Sequence, residues 1–372
     1  MAASARVLSF VVMVCGLPVG YAQTPASASV TTTSSAARPS YESDPKFVKA
    51  MADVKQLIQQ NKGAYLEDAY KKANKIAGGQ CADCLTHMYN MQMVRGAYKD
   101  ALASATASEA LATTPLSKAI AAADRGEAMV SLAGTKPKPA QLEEAHVAFQ
   151  VAIALYPKFP SALYADGKVL AKLGRLEEAR TDFQQCLECS GPHDPARLRA
   201  QHFAANPELA THQMAPAFEV TALDGTKFNL DAMGGRVVLI DFWATWCGPC
   251  NEELPHMKKI AKEFAGQPLV ILSVSWDSDD ATWKTFMTKN EMIWMQYRDA
   301  DHRLTNEFGV NAIPHYFTID SDGVLTSEMM GSGSDVEGKL KKLVAKAREA
   351  QAAQSASAGG STQTPLPKTD AE

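Results

Sequence analysis

Beyond residue 22 the 372-residue chain has no long uncharged apolar run, so no later segment reads as a helix able to cross a bilayer. It also lacks an excess of either charge. The formal net charge is -4 and charged residues make up 21%, which argues against a nucleic-acid footprint or a polybasic membrane patch. Residues 45–205 are almost without β-branched runs, which excludes a strand-rich first half. What remains is a chain long for one domain and comfortable for two.

The N-terminus reads as a secretory leader over residues 1–22. Arg6 gives a short positive start, Val7 to Val19 an apolar stretch, and Gly20-Tyr21-Ala22 a small-residue cleavage site before Gln23. The stretch is short for a transmembrane span, although an uncleaved leader would serve as an anchor. Bulky Met13 and Val14 before Cys15 argue against a lipid attachment there. Export, to a periplasm-like compartment, is the expected localisation. Residues 23–44 and 351–372, rich in Ser, Thr, Ala and Pro, read as a disordered linker and tail with little to bury.

Residues 45–205 carry Ala, Leu, Met and Tyr at helical spacing, and they repeat. "GRLEEARTDFQQCL" echoes "PAQLEEAHVAFQVAI", so that Ala145/Ala179, Phe149/Phe183 and Ala152/Cys186 recur 34 residues apart. "GAYKDALASATASEAL" is a weaker copy and "GAYLEDAYKKANKI" a degenerate one. The pattern resembles tetratricopeptide repeats, in which stacked helix pairs bury faces that none could bury alone. The resemblance implies a concave surface for a protein partner, or else a spacer.

From Pro216 the pattern is mixed α/β, and a second domain is expected over 214–347. "AFEVTALDGTKFNL" alternates about Asp224-Gly225, a hairpin signal. "RVVLIDFW" and "PLVILSVSW" are near-continuous apolar runs, as in strands covered on both faces. Between them "EELPHMKKIAKEFAG" is helical and stops at Gly266, giving a right-handed crossover. Helices are expected in 281–292, in 299–310 and over 335–349, with a hairpin on Asp322-Gly323.

Six cysteines follow the leader, in three pairs of one spacing: Cys81/Cys84, Cys186/Cys189 and Cys247/Cys250. Outside the cytosol such pairs can become disulfides and stay so, and the three need not share one role. Cys247 follows a buried strand and opens a helix whose Pro249 lies in the first turn, where its missing N–H costs nothing. Unpaired amides and the helix dipole favour an anion at that position. A thiol of pKa about 8.5 is only a few per cent thiolate at pH 7; lowering it to about 7 ionises roughly half. Cys250, one turn on, can attack a mixed disulfide formed on Cys247. Asp241, inside "VVLIDFW", is costly to bury charged, so its pKa should rise. It could then take the proton of Cys250; the alternative is a carboxylate satisfied at the strand end.

"WCGPC" after an apolar strand resembles the thioredoxin active-site motif. Asp241 matches that family's buried carboxylate, Pro255 its helix-kinking proline, and Pro314 in "AIPHYF" its cis loop proline. The initial hairpin and the long insert between strands resemble the exported TlpA/ResA type. The resemblance implies an α/β thioredoxin fold after the all-α repeats, and catalytic roles for Cys247, Cys250, Asp241 and Pro314. Trp246, Gly248, Pro249 and Ile313 would form the substrate-contacting face, with Trp243 in the core. His315 stands where the family usually has Thr, and would either bias the thiolate or face outward.

The remaining pairs suggest a four-thiolate zinc site at first sight. Their separation along a stack that contacts only its neighbours argues against convergence. A local disulfide or buried thiol comes first, then exchange with the Cys247 pair, then zinc. The expected function is an exported protein-disulfide oxidoreductase working in the reducing direction, without cofactor or metal. Its partners would be protein disulfides, an upstream thiol donor that could be membrane-bound, and a protein on the repeats; nucleic acid is not among them. A thiol peroxidase is the alternative, against which Ala244 stands where those enzymes place Thr. A repeat-based adaptor with a secondary redox pair is another.

Overall fold

The computed structural model describes residues 40–359 except 193 and 195. The expected leader, residues 23–39 of the linker and residues 360–372 of the tail lie outside the described residues. The chain divides into two compact units, Met1–Ser190 and Gly191–Glu372.

The first unit is helical: α1 (Pro45–Gln59), α2 (Leu66–Ile76), α3 (Ala82–Val94), α4 (Tyr98–Leu111), α5 (Pro115–Ala133), α6 (Pro139–Leu155), α7 (Pro160–Lys172) and α8 (Leu176–Cys189). The starts follow from local chemistry. The Asp44 carboxylate accepts from Lys46 N, Thr114 and Ser117 cap α5 reciprocally, and Pro45, Pro115, Pro139 and Pro160 occupy the first turns, where proline is tolerated. Helices pack chiefly on their sequence neighbours, so the core is a string of local clusters. The repeating positions Ala145, Phe149, Ala152, Ala179, Phe183 and Cys186 are all buried.

Two glycines carry part of that repeat. A Cβ on Gly126 would meet the Phe149 ring at 2.8 Å, and one on Gly167 would meet Phe183 at 2.8 Å. Each repeat thus seats its phenylalanine against a bare backbone on the preceding helix.

The second unit begins with α9 (Arg197–Ala205), not after it. The expected helical domain ran to residue 205, but Arg199 decides otherwise. Its guanidinium donates to Asp231 Oδ1 at 2.9 and 2.6 Å and to the Ala215 carbonyl at 2.7 Å, with Arg199 and Asp231 both buried. A buried charge needs such pairing, and periodicity could not reveal its partner.

A hairpin follows, β1 (Glu219–Thr221) with β2 (Lys227–Asn229), turning through Gly225 at φ 84°. The main sheet has the order β5-β4-β3-β6-β7. Its strands are β3 (Val237–Trp243), β4 (Leu269–Ser275), β5 (Met295–Arg298), β6 (His315–Ile319) and β7 (Leu325–Met330). β3, β4 and β5 run parallel, and β6 and β7 are antiparallel additions on the other side of β3. This is the thioredoxin arrangement, with the central strand leading into α10 (Gly248–Glu263). α11 (Asp280–Lys289), capped by Asp279, and the short α12 (Arg303–Glu307) lie where helices were expected.

β3 is buried along its whole length. Val238, Ile240 and Phe242 pack into one core, and Val237 and Leu239 into a second under α10 and α13 (Val336–Gly359). Each such side chain contributes about 1.5–3 kcal/mol when fully buried. α13 runs ten residues past the expected 349, so residues 351–359 of the supposed disordered tail are helical. Ala347 near its middle is buried, and the helical register continues beyond that anchor. Residues Ser40–Ser43, likewise assigned to the linker, form a 3-10 turn before α1.

Candidate active site

β3 ends at Trp243, and residues 244–247 turn the chain into α10. Cys247 is the N-cap, at φ -83° and ψ 106°, and its Sγ accepts from the Cys250 amide at 3.2 Å. Cys247 and Cys250 are joined in a disulfide. They are 5% and 7% exposed, whereas Trp246 beside them is 65% exposed and Gly248 and Pro249 are also exposed. The turn is held from outside α10. The Asp277 carboxylate accepts from Thr245 N at 3.0 Å and from Thr245 Oγ1 at 2.6 Å, and Ser275 Oγ donates to it at 2.7 Å. From α10, Asn251 Nδ2 donates to the Thr245 carbonyl at 3.0 Å.

The Ile313–Pro314 peptide is cis, and Ile313 packs against the cluster that contains both cysteines. The Pro314 carbonyl accepts from Gly331 N at 2.9 Å, tying this loop to the end of β7. Trp243 is in the core, its ring tilted at 45° to that of Phe286 with centroids 5.6 Å apart. Pro255 sits inside α10.

Asp241 is buried in β3. Burial pushes its pKa up to about 7, the hydrogen bond from Ser273 Oγ, 2.9 Å from Oδ2, pulls it down, and the nearby Glu253 carboxylate pushes it up. Such a group takes or gives a proton near neutral pH. Asp241 and Cys250 both line a small cavity of about 10 Å³, with Trp243, Leu254, Trp294 and Tyr316. That is about the room of one water, enough for a proton to pass between carboxyl and thiol through a single bridge. A larger open groove of about 780 Å³, lined by Glu252, Glu253, His256, Glu337 and Lys341, includes no cysteine.

His315 does not face outward, as one of the two expectations had it. It is 1% exposed, its Nε2 lies 2.9 Å from Glu328 Oε1, and its ring stacks on Phe317 at 4.8 Å. It pairs in register with Phe242, and neighbouring side chains along a strand alternate faces. Its ring therefore lies across the sheet from Asp241, buried and not outward.

Of the other cysteines, Cys81 and Cys84 form a disulfide at the start of α3, while Cys186 and Cys189 are thiols. Sequence reasoning missed Ser273, Trp294, Thr245 and Asp277. For Ser273 a signal existed: "PLVILSVSW" has a polar residue inside a buried run, as "VVLIDFW" has Asp241.

Residues 211–328 match the model of the AhpC/TSA family. The thiol-disulfide oxidoreductase ResA of Bacillus thuringiensis (strain Al Hakam) is 30% identical over 143 residues, 38% of this chain and 83% of that protein. The thioredoxin-like protein YneN of Bacillus subtilis (strain 168) is 30% identical over 132 residues, 35% of this chain and 76% of that protein. Among solved structures, a putative thiol:disulfide interchange protein DsbE from Chlorobium tepidum is 24% identical, with TM-score 0.33, covering 37% of this chain and 96% of that one.

Proposed function

The chain belongs to the ResA-type thiol–disulfide oxidoreductases, an enzyme family, and from that premise we propose that it is an exported reductase of protein disulfides whose reactive dithiol is Cys247 and Cys250. The observation that carries this reading is the cystine at the start of α10, with a buried carboxyl of pKa about 7 sharing its cavity.

In the reduced enzyme the Cys247 thiolate, stabilised by the first-turn amides of α10, attacks one sulfur of a substrate disulfide. An S–S bond forms to Cys247 and the substrate's second sulfur leaves as a thiolate. Asp241, ionised, takes the Cys250 proton through the shared cavity. Cys250 then attacks the Cys247 sulfur, closing the disulfide and releasing the other substrate thiol. Two electrons pass to the substrate, and the enzyme is left as a disulfide that an upstream thiol donor must reduce. Trp246, Gly248, Pro249 and Ile313 form the face that receives the substrate, with Pro314, at the cis peptide, facing the dithiol as the family resemblance implies.

Export and a periplasmic location rest on the leader, residues 1–22. No described helix is long and apolar enough to cross a membrane. The helical unit is read as tetratricopeptide-like and as the seat of a protein partner. Exposed Leu116 and Ile120 on α5 and Val147 and Val151 on α6 support that reading.

Replacing Cys247 by Ser should abolish insulin reduction by the full chain, and a Cys250→Ala variant should accumulate a mixed disulfide with its substrate. Retained turnover in the Cys247 variant overturns the reading. Peroxide consumption outpacing disulfide reduction would move it to the peroxidase alternative.

A further inference from the structure

Asp241 does not stand alone in the sheet. Strand register sets Tyr316, Asp241, Ser273 and Gln296 side by side across β6, β3, β4 and β5. Residues opposite one another in neighbouring strands share a face of the sheet, so this is a polar row on the dithiol side, and every member is buried. Ser273 is fully buried, and its Oγ donates to Asp241 Oδ2 at 2.9 Å while accepting from Trp294 Nε1 at 2.8 Å. The Gln296 side-chain amide is buried without a hydrogen-bond partner among the described residues, so the hydrogen-bonded chain ends at Trp294.

The direction of this chain is fixed by chemistry. An indole N–H can only donate, and a hydroxyl has a single hydrogen to give. An ionised Asp241 has no hydrogen to give, so with Trp294 occupying one lone pair of Ser273 the serine hydrogen goes to the carboxylate. Oδ2 is thereby held as an acceptor, and Oδ1 becomes the oxygen that gains and loses the proton. Trp294 lines the cavity shared by Asp241 and Cys250, so the outer end of the chain also forms a wall of the proton path.

We propose that Ser273 and Trp294 are positioning residues that aim the exchangeable proton of Asp241 at Cys250. This rests on the reading of Asp241 as proton acceptor for Cys250. The other ionisable groups facing Asp241 are Cys250 and Glu253 from α10 and Tyr316 from β6; α13 contributes apolar Val336 and Leu340 to that core. Among the described residues neither Glu253 nor Tyr316 makes a hydrogen bond to Asp241, whereas Ser273 Oγ does.

The test is the pH dependence of insulin reduction by the full chain. Ser273→Ala removes a hydrogen bond that favours the ionised carboxylate, so the alkaline-going rise of the rate should move up by about one pH unit. At pH 7 this reads as a loss of roughly 3–10-fold in kcat, recovered near pH 9, with KM unchanged. Trp294→Phe frees the serine hydroxyl to turn, and should move the profile the same way by less. In an Asp241→Asn background Ser273→Ala should have no further effect, since the two act as one unit. An unmoved profile in both single variants, or additive losses in the double variant, overturns the positioning role. If Asp241→Asn itself leaves the profile unchanged, the underlying proton-acceptor reading has failed instead.

Discussion

The molecule builds the same small device twice. Cys81–Cys84 and Cys247–Cys250 are both disulfides at a helix start. The leading cysteine has φ -83° in each, and in each its sulfur accepts the amide of the second cysteine at 3.2 Å. Exposure barely separates them, at 3% and 0% against 5% and 7%. The surroundings do. Cys81 and Cys84 pack with Phe47, Tyr70, Ala73 and Met88 in a helical core. Cys247 and Cys250 have a half-buried Ile313 against them, an exposed Trp246 alongside, and the buried Asp241 across a water-sized cavity. A helix start can stabilise a thiolate in either place. On the function proposed above, what the sheet adds is a proton acceptor for the second sulfur and a face for the substrate.

The largest effect that can break this comparison is the turnover of paired variants. Cys247→Ser should remove insulin reduction, whereas the Cys81→Ser/Cys84→Ser double variant should keep at least about half of it. The cost in the helical unit should be thermodynamic. A disulfide that closes so short a loop constrains the unfolded chain little, so a loss of about 2 kcal/mol is expected by chemical denaturation. Equal turnover loss in both would mean that the two cystines work in series.

Asp241→Asn sharpens the contrast from the other side. An unfolded aspartate has a pKa near 3.9, and in the fold burial raises it to about 7. The folded state therefore holds the proton more tightly. That contribution is fully present below about pH 4, is lost as pH rises toward 7, and is gone above it. Asparagine escapes the loss and can still accept from Ser273. The variant should be more stable than the parent at pH 8, on the order of 2–4 kcal/mol, yet slower by roughly 10–100-fold with no rise in rate through pH 7. A variant that is both slower and less stable at pH 8 would show that Asp241 serves the fold more than the chemistry.

These contrasts track what was legible in the sequence. The run "VVLIDFW" followed by "WCGPC" announces a buried strand, a turn and a helix start, because burial and proline at the first turn are local properties. Asp241 was legible for the same reason: a carboxylate amid apolar residues has few explanations. Ser273 and Trp294 lie 32 and 53 positions away in the chain, and only strand register brings them to it. Arg199 fell on the wrong side of the expected boundary because its partner Asp231 is likewise set by tertiary contact. The outward reading of His315 fails because alternation shows that faces differ without showing that both faces of β6 are covered.

The smallest expected effect tests whether the helical unit is independent of the chemistry. Gly126 and Gly167 are interior to helices α5 and α7, where alanine would gain about 1 kcal/mol in helix propensity. Against that gain stands a new Cβ 2.8 Å from the ring of a buried phenylalanine. Phe149 and Phe183 are at most 1% exposed, so neither ring can swing clear, and overpacking costs about 1–3 kcal/mol. The clash should win. Gly167→Ala should lower the stability of the helical unit by about 1–2 kcal/mol, and adding Phe183→Leu should recover part of it by making room. Insulin reduction should be unchanged in both variants. A fall in turnover that follows the fall in stability would mean that the dithiol depends on the repeats for more than attachment.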